Sequence, residues 1–152
     1  MKQYDIIVIG AGRASNLARN AGKAGKKVAI IEKSKFGGTC PNRGCVPSKL
    51  LIGYAEVARG IEESSRHFID AKIEKINVEK IFEETNKHIE HVDPSYRGMF
   101  NENVTTYTAE ASFVSNYVIE VNGEQLTAPK IVIATGTRPI APPHEKAWTS
   151  DD

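Results

Sequence analysis

The two cysteines of the chain are its best candidates for chemistry. Cys40 and Cys45 are the only cysteines among 152 residues. So close a pair can hold half of a metal site, lie as two inert buried thiols, or form a reversible disulfide. Zinc and iron–sulfur sites usually take four ligands, yet no third cysteine exists and the nearest histidine, His67, is far along the chain. Nearby glycines that let the chain bend, and a position just before a helix, favour the redox pair.

The reactive form of cysteine is the thiolate, which a helix N-terminus and a nearby cation both stabilise. Arg43 stands between the two cysteines in sequence and is a candidate for that cation. A solvated loop arginine is an equal interpretation. Residues 40–45 therefore form a candidate thiol–disulfide centre.

A glycine-rich turn follows the first apolar run, Tyr4–Ile9. Residues 10–15 read Gly-Ala-Gly-Arg-Ala-Ser and lead into a helical pattern over Ala14–Ala24. Gly10 allows a tight turn, and Gly12 lets the backbone approach a pyrophosphate at the helix N-terminus. This arrangement is typical of a dinucleotide-binding fingerprint, and a glycine turn that merely packs is the alternative.

Two further residues refine this fingerprint. Glu32 ends the second strand pattern, Val28–Ile31, where an acidic residue bonds the ribose hydroxyls of an adenosine. Its charge argues against a bound 2′-phosphate, because two negative groups would meet. Ser15 takes the place of the third glycine, which sets how closely helix and strand pack. We expect the serine to keep the fold while loosening that packing.

The remaining patterns complete an α/β fold. Strand, turn, helix and strand at the start form one βαβ unit. Asn77 is placed as the N-cap of a later helix, and Pro94 marks that helix's end. The later patterns predict helices over 50–61 and 78–92, a hairpin across 122–123 and a buried strand over 131–134. Together they predict a Rossmann-like fold with a parallel sheet plus a small antiparallel hairpin or meander.

Composition excludes several other functions. The chain is 40% hydrophobic and 26% charged, with a formal net charge of +1. Such a balance gives no field that would favour nucleic acid or an anionic membrane. No apolar run is long enough for a membrane span or a secretory signal. We therefore expect a cytoplasmic protein without a nucleic-acid or membrane partner.

The segment Gly37–Lys49, read as GGTCPNRGCVPSK, closely resembles the active-site segment of the pyridine nucleotide–disulfide oxidoreductases. The opening over residues 4–15, the acidic Glu32 and the segment 134–139 also match this family. Dihydrolipoyl dehydrogenase, glutathione reductase, mercuric reductase and mycothione reductase belong to it. The resemblance covers essentially the whole chain, and the cysteine segment is its most specific part.

The resemblance implies a flavin enzyme with FAD in the first nucleotide site and NAD(H) held by a later domain. Cys45 would be the sulfur nearest the flavin, forming the charge-transfer thiolate, and Cys40 would attack the disulfide substrate. Lys49 would lie near the flavin N5, and no metal is expected. The residues expected to bind FAD are Gly10, Gly12, Ala14, Ser15, Glu32, Lys33, Gly38, Thr39, Lys49, Ala109, Ala111, Thr135 and Gly136.

The resemblance also implies parts that this sequence does not contain. The family has a second glycine-rich fingerprint for NAD(P), and an interface domain that supplies a His–Glu acid/base pair across a homodimer. We therefore expect residues 1–140 to form the FAD-binding domain with its redox disulfide, and residues 141–152 to be a linker toward an absent NAD(P)-binding domain. The four histidines, at 67, 88, 91 and 144, are expected at the surface.

Ser48 narrows the choice of family branch. Serine there is typical of dihydrolipoyl dehydrogenases and mercuric reductases, whereas glutathione reductases usually have lysine. We expect a dihydrolipoyl dehydrogenase-like enzyme acting on a lipoyl-type or small-molecule dithiol or disulfide, with a mercuric or mycothione-type reductase as the alternative. Pro41 and Arg43 depart from the commoner apolar residues at their positions. A non-catalytic FAD-binding module is the hypothesis from another class, and the cysteine pair argues against it.

Overall fold

A computed structural model describes residues 1–140. Its centre is a four-stranded parallel sheet, in the order 104–108, 28–32, 6–9 and 131–133, flanked by a four-stranded mixed sheet in the order 2–3, 124–127, 118–121 and 112–115. The strands are β1 Lys2–Gln3, β2 Ile6–Ile9, β3 Val28–Glu32, β4 Val104–Thr108, β5 Ser112–Ser115, β6 Val118–Val121, β7 Glu124–Thr127 and β8 Ile131–Ile133. The helices are α1 Ser15–Lys23, α2 Thr39–Arg43, α3 Cys45–Glu62, α4 Val78–Glu90 and α5 Val92–Arg97, with a 3₁₀ turn at Ser64–His67. This confirms the predicted α/β fold with its parallel sheet and antiparallel meander.

The first βαβ unit forms as predicted. Strands β2 and β3 pair in parallel, and both are rich in β-branched residues, as suits strands covered on both faces. Helix α1 ends at a Schellman motif, in which the Lys26 N–H donates to the Ala21 carbonyl and Gly25 takes φ +76°. The predicted first strand, Tyr4–Ile9, was too long. The strand begins at Ile6, because the Tyr4 N–H donates to the Thr127 carbonyl of the mixed sheet, whereas the Asp5 N–H donates to the Lys27 carbonyl just before β3.

Two hydrophobic clusters join the mixed sheet, the parallel sheet and helix α1. One lies between the two sheets, where Ile7 and Ile31 of the parallel sheet meet Ile119 and Leu126 of the mixed sheet. The other fills the opposite face of the parallel sheet, beneath α1 and the Phe36 ring. The mixed sheet turns at Asn122 (φ 51°) and Gly123 (φ 75°), which confirms the predicted hairpin.

The later helices differ from prediction in two respects. Asn77 caps α4 by accepting from the Lys80 N–H, as expected. Pro94 does not end this helix but lies in the first turn of α5, where its missing N–H has no intrahelical partner to lose. Helix α3 forms, but none of its residues is buried by the part of the chain that the structure describes.

The histidines were predicted to lie at the surface. The imidazoles of His67, His88 and His91 lie on the surface, and His144 lies outside the described residues. Among residues 1–140, the helices are each too short or too polar to cross a lipid bilayer.

Helix α5 is joined to the loop that follows β3. The Asp93 carboxylate accepts from the Phe36 N–H at 2.7 Å and from Arg97 Nε at 2.6 Å. Partial burial raises the pKa of the Asp93 carboxyl, but the hydrogen bonds from Arg97 and Phe36 outweigh burial, so its pKa lies below the ordinary value. The ionised form therefore stabilises the fold.

Acid should weaken the wild-type chain more than an Asp93→Asn variant. A lowered carboxyl pKa contributes stability above about pH 4, and this is lost as pH falls through the lowered pKa of the folded state. Urea unfolding between pH 6 and pH 3 should give a flatter acid limb for Asp93→Asn. Asp70→Asn, at an exposed position, controls for the change in net charge. Parallel acid limbs for the wild type and Asp93→Asn would contradict this assignment.

Candidate functional site

The candidate site lies at the carboxyl ends of the parallel strands. A cavity of about 640 Å³ opens there, at the edge where open α/β sheets bind ligands. Its walls follow β2, β3, β4 and β8 and include the loop that leads into α2. Nine of the predicted FAD-binding residues line it: Gly10, Glu32, Lys33, Gly38, Thr39, Ala109, Ala111, Thr135 and Gly136. Gly12, Ala14, Ser15, Cys40, Cys45 and Lys49 lie outside this lining.

Two glycine segments meet beside the cavity. Gly38 adopts φ +74°, and a Cβ built on it would stand 2.7 Å from the Gly12 Cα. Gly10 adopts φ +102°, and a Cβ there would overlap the Ala134 carbonyl. A side chain at Gly10 or Gly38 would push apart the walls that now touch. The glycine turn after β2 and the loop before α2 are thus built to lie in backbone contact.

Ser15 fits its place at the start of α1. It is 2% exposed, and its hydroxyl donates to the Ala11 carbonyl at 2.8 Å. The buried hydroxyl is therefore satisfied within the glycine turn itself. Ala14 stands at the N-cap of α1 and packs against the cluster beneath this helix.

Glu32 ties the glycine turn to the next loop. One carboxylate oxygen accepts from the Ala11 N–H and the other from the Ser34 N–H, both at 2.9 Å. Each oxygen has further lone pairs, so the carboxylate can accept additional hydrogen bonds from a ligand in the cavity. Lys33 pairs with Glu110 at 3.6 Å, and both residues belong to the cavity wall.

The two cysteines form a disulfide. Helix α2 carries Cys40 in its first turn, and Gly44 separates it from α3, which begins at Cys45. The Cα atoms of the two cysteines are 4.7 Å apart, and both residues are exposed. Lys49 follows Cys45 by one helical turn and is also exposed. The disulfide therefore lies next to the cavity, connected to its wall through Thr39.

Asn42, within the cysteine segment, was not among the predicted site residues. It is 8% exposed, and its side-chain amide donates to the carbonyls of Phe36 and Gly38, at 3.0 and 2.9 Å. These bonds join the disulfide turn to the loop that lines the cavity. A polar residue between two cysteines was the available signal, but its partners become apparent only in the folded chain.

The comparisons with known proteins agree with this geometry. Residues 4–150 match the family described as "Pyridine nucleotide-disulphide oxidoreductase". A mycothione reductase from Mycobacterium tuberculosis is 35% identical over 94% of this chain and 33% of its own length. A dihydrolipoyl dehydrogenase from Chlamydia trachomatis is 34% identical over 92% of this chain and 31% of its own length.

A solved structure gives the same result. The copper(II) complex of RclA, an HOCl-induced flavoprotein disulfide reductase from Escherichia coli, matches with a TM-score of 0.74 at 26% identity. The match covers 91% of this chain and 29% of the RclA chain. The chain thus spans about a third of the curated relatives it matches. The match over residues 4–150 shows that the chain belongs to the pyridine nucleotide-disulfide oxidoreductase family.

Proposed function

We propose that this chain binds FAD in the cavity at the carboxyl edge of the parallel sheet and exchanges electrons between the flavin and the Cys40–Cys45 disulfide. The observation that carries the proposal is the joint position of the two centres. The loop that follows β3 contributes Gly38 to the cavity wall and leads directly into the cysteine helix α2, whose first residue, Thr39, also lines the cavity. A module that only bound FAD would have no use for a dithiol beside it.

The residues present are suited to this cofactor. The absence of side chains at Gly12 and Gly38 lets the glycine turn and the loop before α2 meet at the edge of the cavity, where a pyrophosphate would lie. The N-terminus of α1 would favour its negative charge. Glu32 would accept from the ribose hydroxyls while it keeps its two backbone donors. Thr39 would contact the phosphates or the ribityl chain, and Thr135 and Gly136 would pass along the ring system. Lys33 would border the adenosine end, and the backbone of Ala109 and Ala111 would flank the adenine.

When bound, FAD would supply a two-electron carrier between a nicotinamide and the cysteine pair. Two electrons and two protons convert the Cys40–Cys45 disulfide into two thiols, and loss of the same electrons and protons re-forms the bond. Cys45 would be the sulfur next to the flavin, and Cys40 would exchange with the substrate. The helix start at Cys45 favours its thiolate, and Lys49 adds positive charge one turn later.

We further propose that the substrate is a dithiol or disulfide of the lipoyl type, oxidised or reduced at the expense of NAD(H). Ser48 supports this choice over a glutathione-type reductase, and its hydroxyl donates to the Gly44 carbonyl at the start of α3. A dihydrolipoyl group would lose two electrons and two protons to close its own disulfide, and the electrons would leave through the flavin to NAD⁺. A mycothione-type or mercuric reductase is the alternative.

The full enzyme would need more than these residues supply. Residues 1–140 would form the FAD-binding domain, and residues 141–152, which lie outside the described part, would link it to an NAD(P)-binding domain. A second subunit of a homodimer would supply the acid/base pair. These are expectations from the family and from the length of the relatives.

FAD binding should depend on Gly38. A Gly38→Ala variant adds strain at φ +74° and a clash with Gly12, so we expect its dissociation constant for FAD to rise by about tenfold or more. Gly25→Ala is the matched control, because Gly25 has a similar φ of +76° but no atom near its built Cβ. Fluorescence titration of FAD measures both, with circular dichroism to verify folding. Equal FAD affinity in the wild type and in folded Gly38→Ala would contradict the proposed site.

The roles of the two sulfurs should separate spectroscopically. Two-electron reduction of the FAD-loaded wild-type chain should open the disulfide and produce the long-wavelength absorbance of a thiolate beside oxidised flavin, and Cys45→Ser should lack this band. Cys40→Ser, which has no disulfide to reduce, should show the band while its flavin is still oxidised, because its Cys45 thiolate is already free. Cys45 would be the donor, so only its removal should abolish the band. The reverse pattern would exchange the proximal and distal assignments. Loss of the band in both variants would disprove a donor role for Cys45 alone.

A further inference from the structure

We propose that Asp93 and Arg97 of α5 are positioning residues for the FAD cavity, holding the Phe36–Gly38 loop and the end of β4 at the spacing that the nucleotide requires. This inference rests on the proposed function. Neither side chain lines the cavity, so they would act through residues that do. The proposal is supported by the contacts of α5 with the loop, by its hydrogen bond to the end of β4, and by the contacts of the loop with the glycine turn.

Helix α5 contacts the Phe36–Gly38 loop mainly at Phe36. The Asp93 carboxylate accepts from the Phe36 N–H at 2.7 Å, although 57 positions separate the two residues. The Arg97 guanidinium lies over the Phe36 ring, 4.0 Å from its centroid, and this ring is fully buried. A Cβ built on Gly37 would stand 2.8 Å from Val92, the first residue of α5. Backbone, ring and glycine are thus all held by one short helix.

The same helix also contacts the end of β4, the strand next to β3. Arg97 donates through Nη2 to the Thr108 hydroxyl at 2.8 Å. Thr108 ends β4, and the next residue, Ala109, lines the cavity. The Ala109 N–H in turn donates to the Glu32 carbonyl at 3.0 Å. One guanidinium therefore connects the loop before α2 with the wall after β4.

The Phe36–Gly38 loop in turn contacts the glycine turn after β2. The Gly37 N–H donates to the Ala11 carbonyl at 2.8 Å, and Gly38 packs against Gly12. A shift of Phe36 would therefore move the backbone groups expected at the pyrophosphate. Because Gly37 and Gly38 are closely packed, a small displacement of the loop should also displace the backbone groups that would contact FAD.

The Asp93–Arg97 pair also differs from an ordinary surface pair. Its side chains are 24% and 31% exposed, whereas Arg59 and Glu63 of the i,i+4 pair on α3 are 75% and 38% exposed. Such exposed pairs contribute little to stability. Besides its ion pair, the Asp93 carboxylate accepts from the Phe36 N–H. The Arg97 guanidinium covers the Phe36 ring and donates to Thr108.

The test compares Arg97→Gln with Arg59→Gln in the 152-residue chain. We expect Arg97→Gln to weaken FAD binding roughly tenfold to a hundredfold, by analogy with the loss seen when groups that orient metal-binding residues are removed. Arg59→Gln should bind FAD as the wild type does. Titrations run well below the melting temperature of each unliganded variant, so that a loss of stability alone leaves the dissociation constant unchanged. Equal FAD affinity in the two variants would overturn the proposal.

A second comparison works even if Arg97→Gln does not fold. Asp93→Asn keeps an oxygen that can accept from the Phe36 N–H, whereas Asp93→Ala leaves that donor unpaired. FAD affinity should therefore be closer to wild type in Asp93→Asn than in Asp93→Ala. Indistinguishable FAD affinities in these two variants would overturn the proposal. A wild-type chain that fails to bind FAD would instead disprove the proposed function.

Discussion

The backbone contact between Gly38 and Gly12 is the constraint on which the site depends. It brings the loop that carries the disulfide against the turn that ends the first strand, with space for no side chain at Gly38. Strand β2 sets the place of Gly12, because its parallel pairing with β3 and β8 determines where the turn begins. The cavity, the Glu32 carboxylate at its wall and the cysteine helix are then arranged around this contact.

Hydrogen bonds to backbone groups maintain this arrangement. Glu32 binds the turn from the side of β3, and Asn42 binds the loop carbonyls from the side of the disulfide. Asp93 binds the loop N–H from α5. The glycine turn and the loop are thus held by three polar side chains, and each of them satisfies a backbone group that lies outside regular secondary structure. Such a loop can keep one geometry without a bound ligand.

Much of this could be predicted from the sequence, because the signals were local. The Asn122-Gly123 hairpin, the Asn77 cap and the Gly10 turn each follow from the backbone preferences of adjacent residues. The cysteine segment was specific enough to indicate the family. Pro94 misled the prediction, because a proline is tolerated in a first helical turn as readily as after a helix end.

The contacts of Asn42, Asp93 and Arg97 could not be predicted in this way. Asp93 meets the Phe36 N–H only after a long stretch of chain has folded back on the sheet, and no periodicity encodes that distance. The pairing of β1 with β7 joins the start of the chain to its last hairpin and is equally non-local. Such contacts depend on topology, whereas propensity and spacing describe neighbours in sequence.

We propose that the flavin and the Cys40–Cys45 disulfide form one redox unit. An anaerobic reductive titration of the FAD-loaded chain tests it most directly. We expect uptake of about two two-electron equivalents per FAD, one for the flavin and one for the disulfide, and about one in a Cys40→Ser/Cys45→Ser double variant. Uptake of a single equivalent by the wild type, with the disulfide still intact when the flavin is fully reduced, would contradict it.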